Sequence, residues 1–172
     1  MKKIIFSVLA ALVVLAAIFY LISKKNADKE QVAPAAAAAS TSNDLPWLPL
    51  TQLDSTRFIA HSLEGKNILV FFQPDCDHCQ RETKQIREHI EAFKGYNIYF
   101  VSDATMPQLS QFAVDYDLAA SSNVHFTHAT PNDIYNAVGG IQVPAVFVFS
   151  DKGRLVKSFI GETPIEQILN YL

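Results

Sequence analysis

Two cysteines, Cys76 and Cys79, are the residues whose type and spacing point most directly to chemistry. They are the only cysteines among 172 residues, so the chain offers no other thiol to pair with them. A bridge across two residues closes too small a loop to stabilise a fold much. A structural zinc site usually needs four Cys or His ligands, and there is no second Cys pair. The pattern therefore favours redox chemistry over metal binding or a purely structural bridge.

The residues around this pair predict a strand that is followed directly by a helix. Residues 68–72 form a short, continuous run of β-branched and aromatic side chains, which is typical of a buried strand. A turn signal, Pro74-Asp75, follows it. Beyond Cys79 the spacing becomes helical, through Glu82, Ile86, Ile90 and Phe93. Cys76 is therefore expected near a helix N-terminus, where unpaired N–H groups and the helix dipole stabilise a thiolate.

The two cysteines are predicted to have different roles. Cys76 is the predicted nucleophile, because it should be the more exposed of the two and nearer the helix end. Cys79, about one turn further in, is predicted to resolve the mixed disulfide. His78, if cationic, stabilises the Cys76 thiolate and makes the pair more oxidising, whereas Asp75 and Asp77 oppose this by like-charge repulsion. The alternative for His78 is a solvated polar loop residue.

Residues 71–82 resemble the active-site segment of the thioredoxin-like superfamily, and within it the membrane-anchored TlpA-like and redoxin-type thiol–disulfide oxidoreductases. Three more segments share this likeness: Gly65-Lys66 before the strand, residues 141–144, which match the segment carrying the family's cis-proline, and the turn at residues 151–153. The likeness spans residues 47–172. It implies a thioredoxin-like fold and disulfide exchange with protein substrates, with no cofactor beyond the Cys76–Cys79 pair.

The resemblance also implies roles for three further residues. Glu82 is expected to assist the proton transfers of the cysteines, and the alternative is a solvent-facing acid in the first helical turn. Pro144 is expected to form a cis peptide with Val143. In that arrangement Val143 and Pro144 are expected to bind substrate, with the Val143 backbone pairing with an extended chain beside Cys76.

The N-terminal region predicts a membrane anchor followed by a spacer. Residues 4–22 are apolar apart from Ser7 and Tyr20, and as a helix they would span roughly 28 Å, close to the thickness of a bilayer core. Lys24-Lys25 follows, so residues 1–25 are predicted as an uncleaved anchor, with a signal peptide as the alternative. Residues 26–45 are predicted as an Ala/Ser-rich linker. The expected location is the inner membrane, single-pass, with a periplasmic catalytic domain and a membrane or periplasmic redox partner.

Residues 46–172 are predicted to form an α/β domain with a mixed central sheet flanked by helices. Trp47, Leu48 and Leu50 are expected to pack on the sheet edge. Asn132 is expected to cap one helix and Pro164 to occupy the first position of the last helix. The predicted later strands are Asn97–Ser102, Val124–His128, Ala145–Phe149 and Leu155–Ile160, and a helix is predicted to begin at Met106-Pro107.

Other function classes are weighed against this prediction. The net charge of −3 provides no basic patch for nucleic acid. A copper chaperone could add His125 and His128 to the cysteines, but residues three apart on a strand face opposite sides. A thiol peroxidase would need a Thr three residues before its reactive Cys. That Thr is missing here, because the residue three before Cys79 is Cys76. A redox-inert adaptor of the same fold also remains open. No metal site is predicted.

Overall fold

A seven-stranded mixed sheet organises residues 44–172, which are the residues described by the computed structural model. The predicted anchor at 1–25 and almost all of the predicted linker lie outside the described residues. Within 44–172, no helix combines the length and the apolar character that crossing a bilayer requires. The predicted mixed sheet is confirmed, and the strand that precedes the cysteine pair lies in its interior, with a neighbour on each side.

The elements follow one another as predicted, with a β-hairpin added at the start. The strands are β1 Pro49–Gln52, β2 Arg57–Ile59, β3 Asn67–Phe71, β4 Asn97–Ser102, β5 Val124–His128, β6 Ala145–Phe149 and β7 Leu155–Ile160. The α-helices are α1 Asp77–Glu88, α2 Met106–Asp115, α3 Pro131–Val138 and α4 Ile165–Leu169. Two 3₁₀ turns are Ala60–Ser62 and Ile90–Phe93.

The strand order across the sheet is β2-β1-β5-β4-β3-β6-β7. β3 pairs in parallel with β4 on one side and antiparallel with β6 on the other. β5 continues the parallel part, and β6 with β7 forms the predicted antiparallel hairpin. A strand with neighbours on both sides has all its backbone groups paired, so β3 is a rigid support for whatever follows it.

The five residues of β3 are all buried, and they supply both faces of the sheet. Ile68, Val70 and Phe72 belong to one core, which α1, α2 and α4 cover with residues such as Ile86, Leu109 and Ile168. Leu69 and Phe71 belong to the opposite core, which α3 covers with Ala137 and Val138. The continuous apolar run in the sequence is thus explained by a strand that is covered on both sides.

Trp47 does not pack on the sheet as predicted. Leu48 and Leu50 are buried, but Trp47 is 72% exposed and stacks on His61, with ring centroids 4.4 Å apart. In an extended segment successive side chains point to opposite sides, so placing Leu48 and Leu50 inward turns Trp47 outward.

Three helix boundaries also differ from the prediction. α1 ends at Glu88, and a separate 3₁₀ turn, Ile90–Phe93, follows it. The sequence does not reveal this break, because no Gly or Pro marks it and the apolar spacing runs across it. The cap of α3 is Thr130, whose hydroxyl accepts from the Asp133 N–H, since a Pro takes the first helical position. Pro164 caps α4 rather than occupying its first turn.

The folded domain begins slightly before the predicted boundary at 46. Asp44 forms a β-bridge with Arg154. Leu45 is buried, and its N–H donates to the Gly153 carbonyl at 2.7 Å. These last two residues of the predicted 26–45 linker therefore belong to the packed structure.

The difference between Trp47 and Leu48 gives a test of the packing at the sheet edge. Leu48→Ala removes a fully buried side chain and should lower the free energy of unfolding by about 2–5 kcal/mol. Trp47→Ala removes a larger but exposed side chain and should cost about 1 kcal/mol or less. Urea unfolding followed by circular dichroism measures both, and equal losses would contradict the assigned packing.

Candidate active site

Cys76 caps the N-terminus of α1. Its backbone is extended (φ −90°, ψ 113°), and its Sγ accepts a hydrogen bond from the Cys79 N–H at 3.2 Å. The Gln80 N–H donates to the Cys76 carbonyl at 3.0 Å, which starts the helix. The side chain is partly exposed. The predicted position of Cys76 at a helix N-terminus is therefore found, and a thiolate there receives an N–H donor and the positive end of the helix.

Cys79 lies behind Cys76, one turn into the helix, and is buried in the core between sheet and helices. Both cysteines are free thiols, with their sulfur atoms 2.6 Å apart. Burial, followed by the hydrogen bond to Cys76, raises the pKa of the Cys79 thiol to about 12. One sulfur is thus within reach of solvent and the other is kept protonated behind it. The two roles assigned from sequence remain predictions, but this asymmetry suits them.

His78 is directed at residues that sequence reasoning did not include. Its side chain is 65% exposed, and its Nδ1 lies 2.7 Å from Glu162 Oε2 and 2.6 Å from Arg81 Nη2. Arg81 also donates from Nε to both oxygens of Glu162, at 2.9 and 3.1 Å. The histidine is therefore part of a three-membered ionic cluster rather than an isolated loop residue.

Glu82 is buried, so the solvent-facing alternative for this residue is wrong. It is 1% exposed, and its Oε1 accepts from the Thr163 N–H at 3.0 Å. Its Oε2 has no hydrogen-bond partner within the described structure. Burial raises the pKa of Glu82 to about 7, against the lowering effect of the Thr163 N–H. A carboxyl group that titrates near neutrality, one turn from Cys79, can give and take protons; its catalytic role remains a prediction.

Val143 and Pro144 line an open groove that His78 of the CxxC motif also lines. The peptide bond between them is cis. The Pro144 carbonyl accepts from the Gly161 N–H at 2.8 Å, which ties this loop to the end of β7. The groove is lined by His78, Gln85, Gln142, Val143, Pro144, Gly161, Glu162 and Pro164. The groove is next to His78, which directly precedes Cys79 in the chain, and substrate binding by Val143 and Pro144 remains a prediction.

The connection between β7 and α4 was missed by sequence reasoning. It supplies Glu162 to the ionic cluster and the Thr163 N–H to Glu82. Directly after it, the first residue of α4, Ile165, donates its N–H to the Gln85 side chain at 3.0 Å. No local pattern marks these contacts, because they join positions about eighty residues apart.

The two histidines considered for a copper site, His125 and His128, lie on β5 and contact other residues than the cysteines. The His125 ring stacks on Tyr99 with centroids 4.7 Å apart, and burial lowers the pKa of His125. His128 Nδ1 lies 3.0 Å from the Ala104 carbonyl oxygen. Among residues 44–172, no three His, Cys, Asp or Glu side chains are grouped so that they could hold a metal ion.

The sheet order and the CxxC pair at the start of α1 define the class: this is a protein of thioredoxin-like fold. The chain belongs to the AhpC/TSA family, whose match covers residues 41–158. It also matches a protein of Acanthamoeba polyphaga mimivirus named as a glutaredoxin, with 37% identity over 59 residues. That match covers 34% of this chain and 55% of the other, so the chain spans about half the length of this curated relative.

Solved structures with the same fold have names from several chemistries. A peroxiredoxin-like protein from Aquifex aeolicus has a TM-score of 0.64 at 14% identity, covering 78% of this chain and 87% of that one. A secreted Mycobacterium tuberculosis disulfide oxidoreductase homologous to E. coli DsbE scores 0.58 at 17% identity, covering 73% and 93%. Copper-bound ScoI from Arabidopsis thaliana scores 0.59 at 14% identity, covering 75% and 94%. These likenesses establish the fold.

The buried Glu82 should make stability fall as pH rises. Its pKa is 4.5 in an unfolded chain and about 7 when folded, so between these values the folded protein holds the extra proton. Stability is then lost through this window, by about 2 kcal/mol. Glu82→Gln should abolish that loss in urea unfolding measured at pH 5 and pH 8. Glu88→Gln, at the exposed end of the same helix, should leave the slope unchanged, and parallel slopes for all three proteins would contradict this account.

Proposed function

We propose that this protein is a thiol–disulfide oxidoreductase that exchanges disulfides with protein substrates through Cys76 and Cys79. One observation carries the proposal: a partly exposed sulfur caps a helix, and a second, buried sulfur lies 2.6 Å behind it. This is the arrangement that a nucleophile and its resolving partner need. The AhpC/TSA family membership and the glutaredoxin-named relative support redox chemistry of this kind.

The exchange proceeds in two balanced steps. The Cys76 thiolate attacks one sulfur of a substrate disulfide, forming a mixed disulfide while the other substrate sulfur leaves and takes up a proton. Cys79 then loses its proton, attacks Cys76 Sγ and releases the second substrate sulfur, which is protonated in turn. The substrate gains two electrons and two protons, and the protein becomes a disulfide. The reverse sequence oxidises a substrate dithiol.

Glu82 is the proposed proton acceptor for Cys79. In the mixed disulfide Cys76 no longer carries a charge or shares a hydrogen bond with Cys79, so two contributions that raise the pKa of Cys79 disappear. Burial remains, and a base is still needed. Glu82 lies one helical turn further along the same face and has a free carboxylate oxygen. Its pKa of about 7 allows it to take the proton and return it.

The substrate is proposed to lie extended in the groove beside Val143 and Pro144. An extended segment can pair with exposed backbone by strand addition, which makes recognition largely independent of side chains. That suits a protein that acts on cysteines in differing surroundings.

The proposed location is the periplasmic side of the inner membrane, with the domain tethered by residues 1–25. The support is the apolar run at residues 4–22 with lysines on both sides. Disulfides persist outside the cytoplasm, so a disulfide-exchanging site has substrates there. The Mycobacterium tuberculosis neighbour is described as secreted, which agrees with this placement.

Substituting the cysteines one at a time tests the mechanism. Cys79→Ser should retain attack but lose resolution, so it should accumulate mixed disulfides with substrate proteins that dithiothreitol releases. Cys76→Ser should trap none, because the buried Cys79 cannot reach substrate. Insulin reduction by the full chain should be lost in both variants. Mass spectrometry of trapped species is the measurement, and an untrapped Cys79→Ser protein would overturn the proposal.

The rival functions predict different results for the same protein. A thiol peroxidase would consume hydrogen peroxide rapidly in the reduced state, while insulin disulfides would stay intact. A copper chaperone would bind Cu(I) tightly when the reduced protein is titrated, again without disulfide exchange. Either result in place of insulin reduction would reject the proposed function.

Labelling in spheroplasts tests the proposed location. In a Gram-negative host that produces the full chain, a membrane-impermeant maleimide added to intact spheroplasts should label Cys76 under reducing conditions. The label should remain with the membrane fraction after washing with salt. Labelling that requires prior lysis would place the domain on the cytoplasmic side and contradict the proposal.

A further inference from the structure

The Glu162 carboxylate is the centre of the ionic cluster that it forms with Arg81 and His78. It accepts from Arg81 Nη2 at 2.6 Å and from Arg81 Nε at 2.9 Å, and it faces His78 Nδ1 at 2.7 Å. The hydrogen bond from Arg81, followed by that from His78, lowers the pKa of Glu162 to about 2. This carboxylate is therefore ionised throughout the working range of a protein.

The two partners of Glu162 in the cluster, His78 and Arg81, lie on the first turns of α1. His78 is within the CxxC motif, and the Arg81 guanidinium interacts electrostatically with Cys76 and with Asp77. A cation near a cysteine stabilises its thiolate and, with it, the reduced form of the pair. The cluster therefore contributes to the charge that surrounds Cys76.

His78 Nδ1 cannot satisfy both of its neighbours in one protonation state. Arg81 is only a donor, so a hydrogen bond from it needs a bare Nδ1, whereas Glu162 needs Nδ1–H. The cluster has a net charge of zero when His78 is neutral and of +1 when it is protonated. In either state, removing the Glu162 charge makes the cluster more positive by one unit, so the direction of the effect on Cys76 does not depend on His78.

We propose that Glu162 is a positioning residue for the redox pair, which sets the reduction potential by neutralising Arg81 and His78 next to Cys76. The inference rests on the proposed function, because it needs Cys76 and Cys79 to form the redox pair. Glu162 touches no reacting atom. Its main chain is not involved either, since the N–H that reaches Glu82 belongs to Thr163.

Two substitutions in the cluster should have opposite effects. Glu162→Gln leaves the cations uncompensated, so it should stabilise the thiolate and shift the equilibrium with glutathione toward the reduced protein. Arg81→Gln removes one positive charge from the cluster and should shift the equilibrium toward the disulfide. We expect about threefold to tenfold in the equilibrium constant at low salt, where tenfold is about 30 mV. The effect should shrink as salt increases, because the cluster is partly exposed.

The measurements are the redox equilibrium in glutathione buffers, quantified by thiol alkylation, and the pH midpoint of the ultraviolet thiolate absorbance. The double variant Arg81→Gln/Glu162→Gln should return close to wild type, since it removes one charge of each sign. Arg87→Gln is the matched control. Arg87 lies on the same helix but bonds to Asp117, away from the cysteines, so its loss should leave the potential unchanged.

The opposite signs separate electrostatic control from a structural role. If the cluster only held α1 in place, both single variants would shift the potential in the same direction and the double variant would shift it further. That result, or unchanged equilibria in both variants, would overturn the inference. If wild type itself fails to exchange with glutathione, the proposed function fails instead, so the two failures are distinguishable.

Discussion

The hydrogen bond from the Cys79 N–H to Cys76 Sγ is the contact on which the site depends. It exists because β3 ends at Phe71 and α1 begins at Asp77, which leaves Cys76 as the capping residue. Serine, threonine, asparagine and aspartate are the usual residues for this task, so a sulfur here replaces an oxygen as the acceptor. The same contact that begins the helix thereby stabilises negative charge on Cys76, the proposed nucleophile.

The parts of this arrangement that depend on neighbouring residues could be predicted from the sequence. The strand before the cysteines, the helix after them and the hairpin from β6 to β7 all follow local periods and turn signals. The burial of Glu82 could not be predicted, because an acid near the start of a helix is ordinarily exposed and its hydrogen-bond partner, the Thr163 N–H, is distant in the sequence. Glu162 shows the same limit, since its partners are about eighty positions away. The outward turn of Trp47 depended on the strand register, which a run of apolar letters does not specify.

Proteins that share this fold are named for peroxide-related, disulfide and copper chemistry. The backbone therefore leaves the reaction open, and the side chains around the cysteines decide it. Here those side chains are the buried carboxyl group of Glu82 and the ionic cluster that is centred on Glu162. Both depend on the short connection after β7, which also holds the Pro144 carbonyl through the Gly161 N–H. One segment thus links α1, the buried Glu82 and the groove.

The burial of Cys79 among core side chains links the oxidation state of the protein to its folding. Folding and reduction form a closed thermodynamic cycle. The difference in the free energy of unfolding between the dithiol and disulfide forms is therefore proportional, through ΔG = −nFΔE, to the difference in reduction potential between the folded and unfolded chain. A core that packs a thiol better than a disulfide makes the protein an oxidant; the reverse preference makes it a reductant. Substitutions in the core around Cys79, between the sheet and the helices, can therefore change the reduction potential of the proposed redox pair.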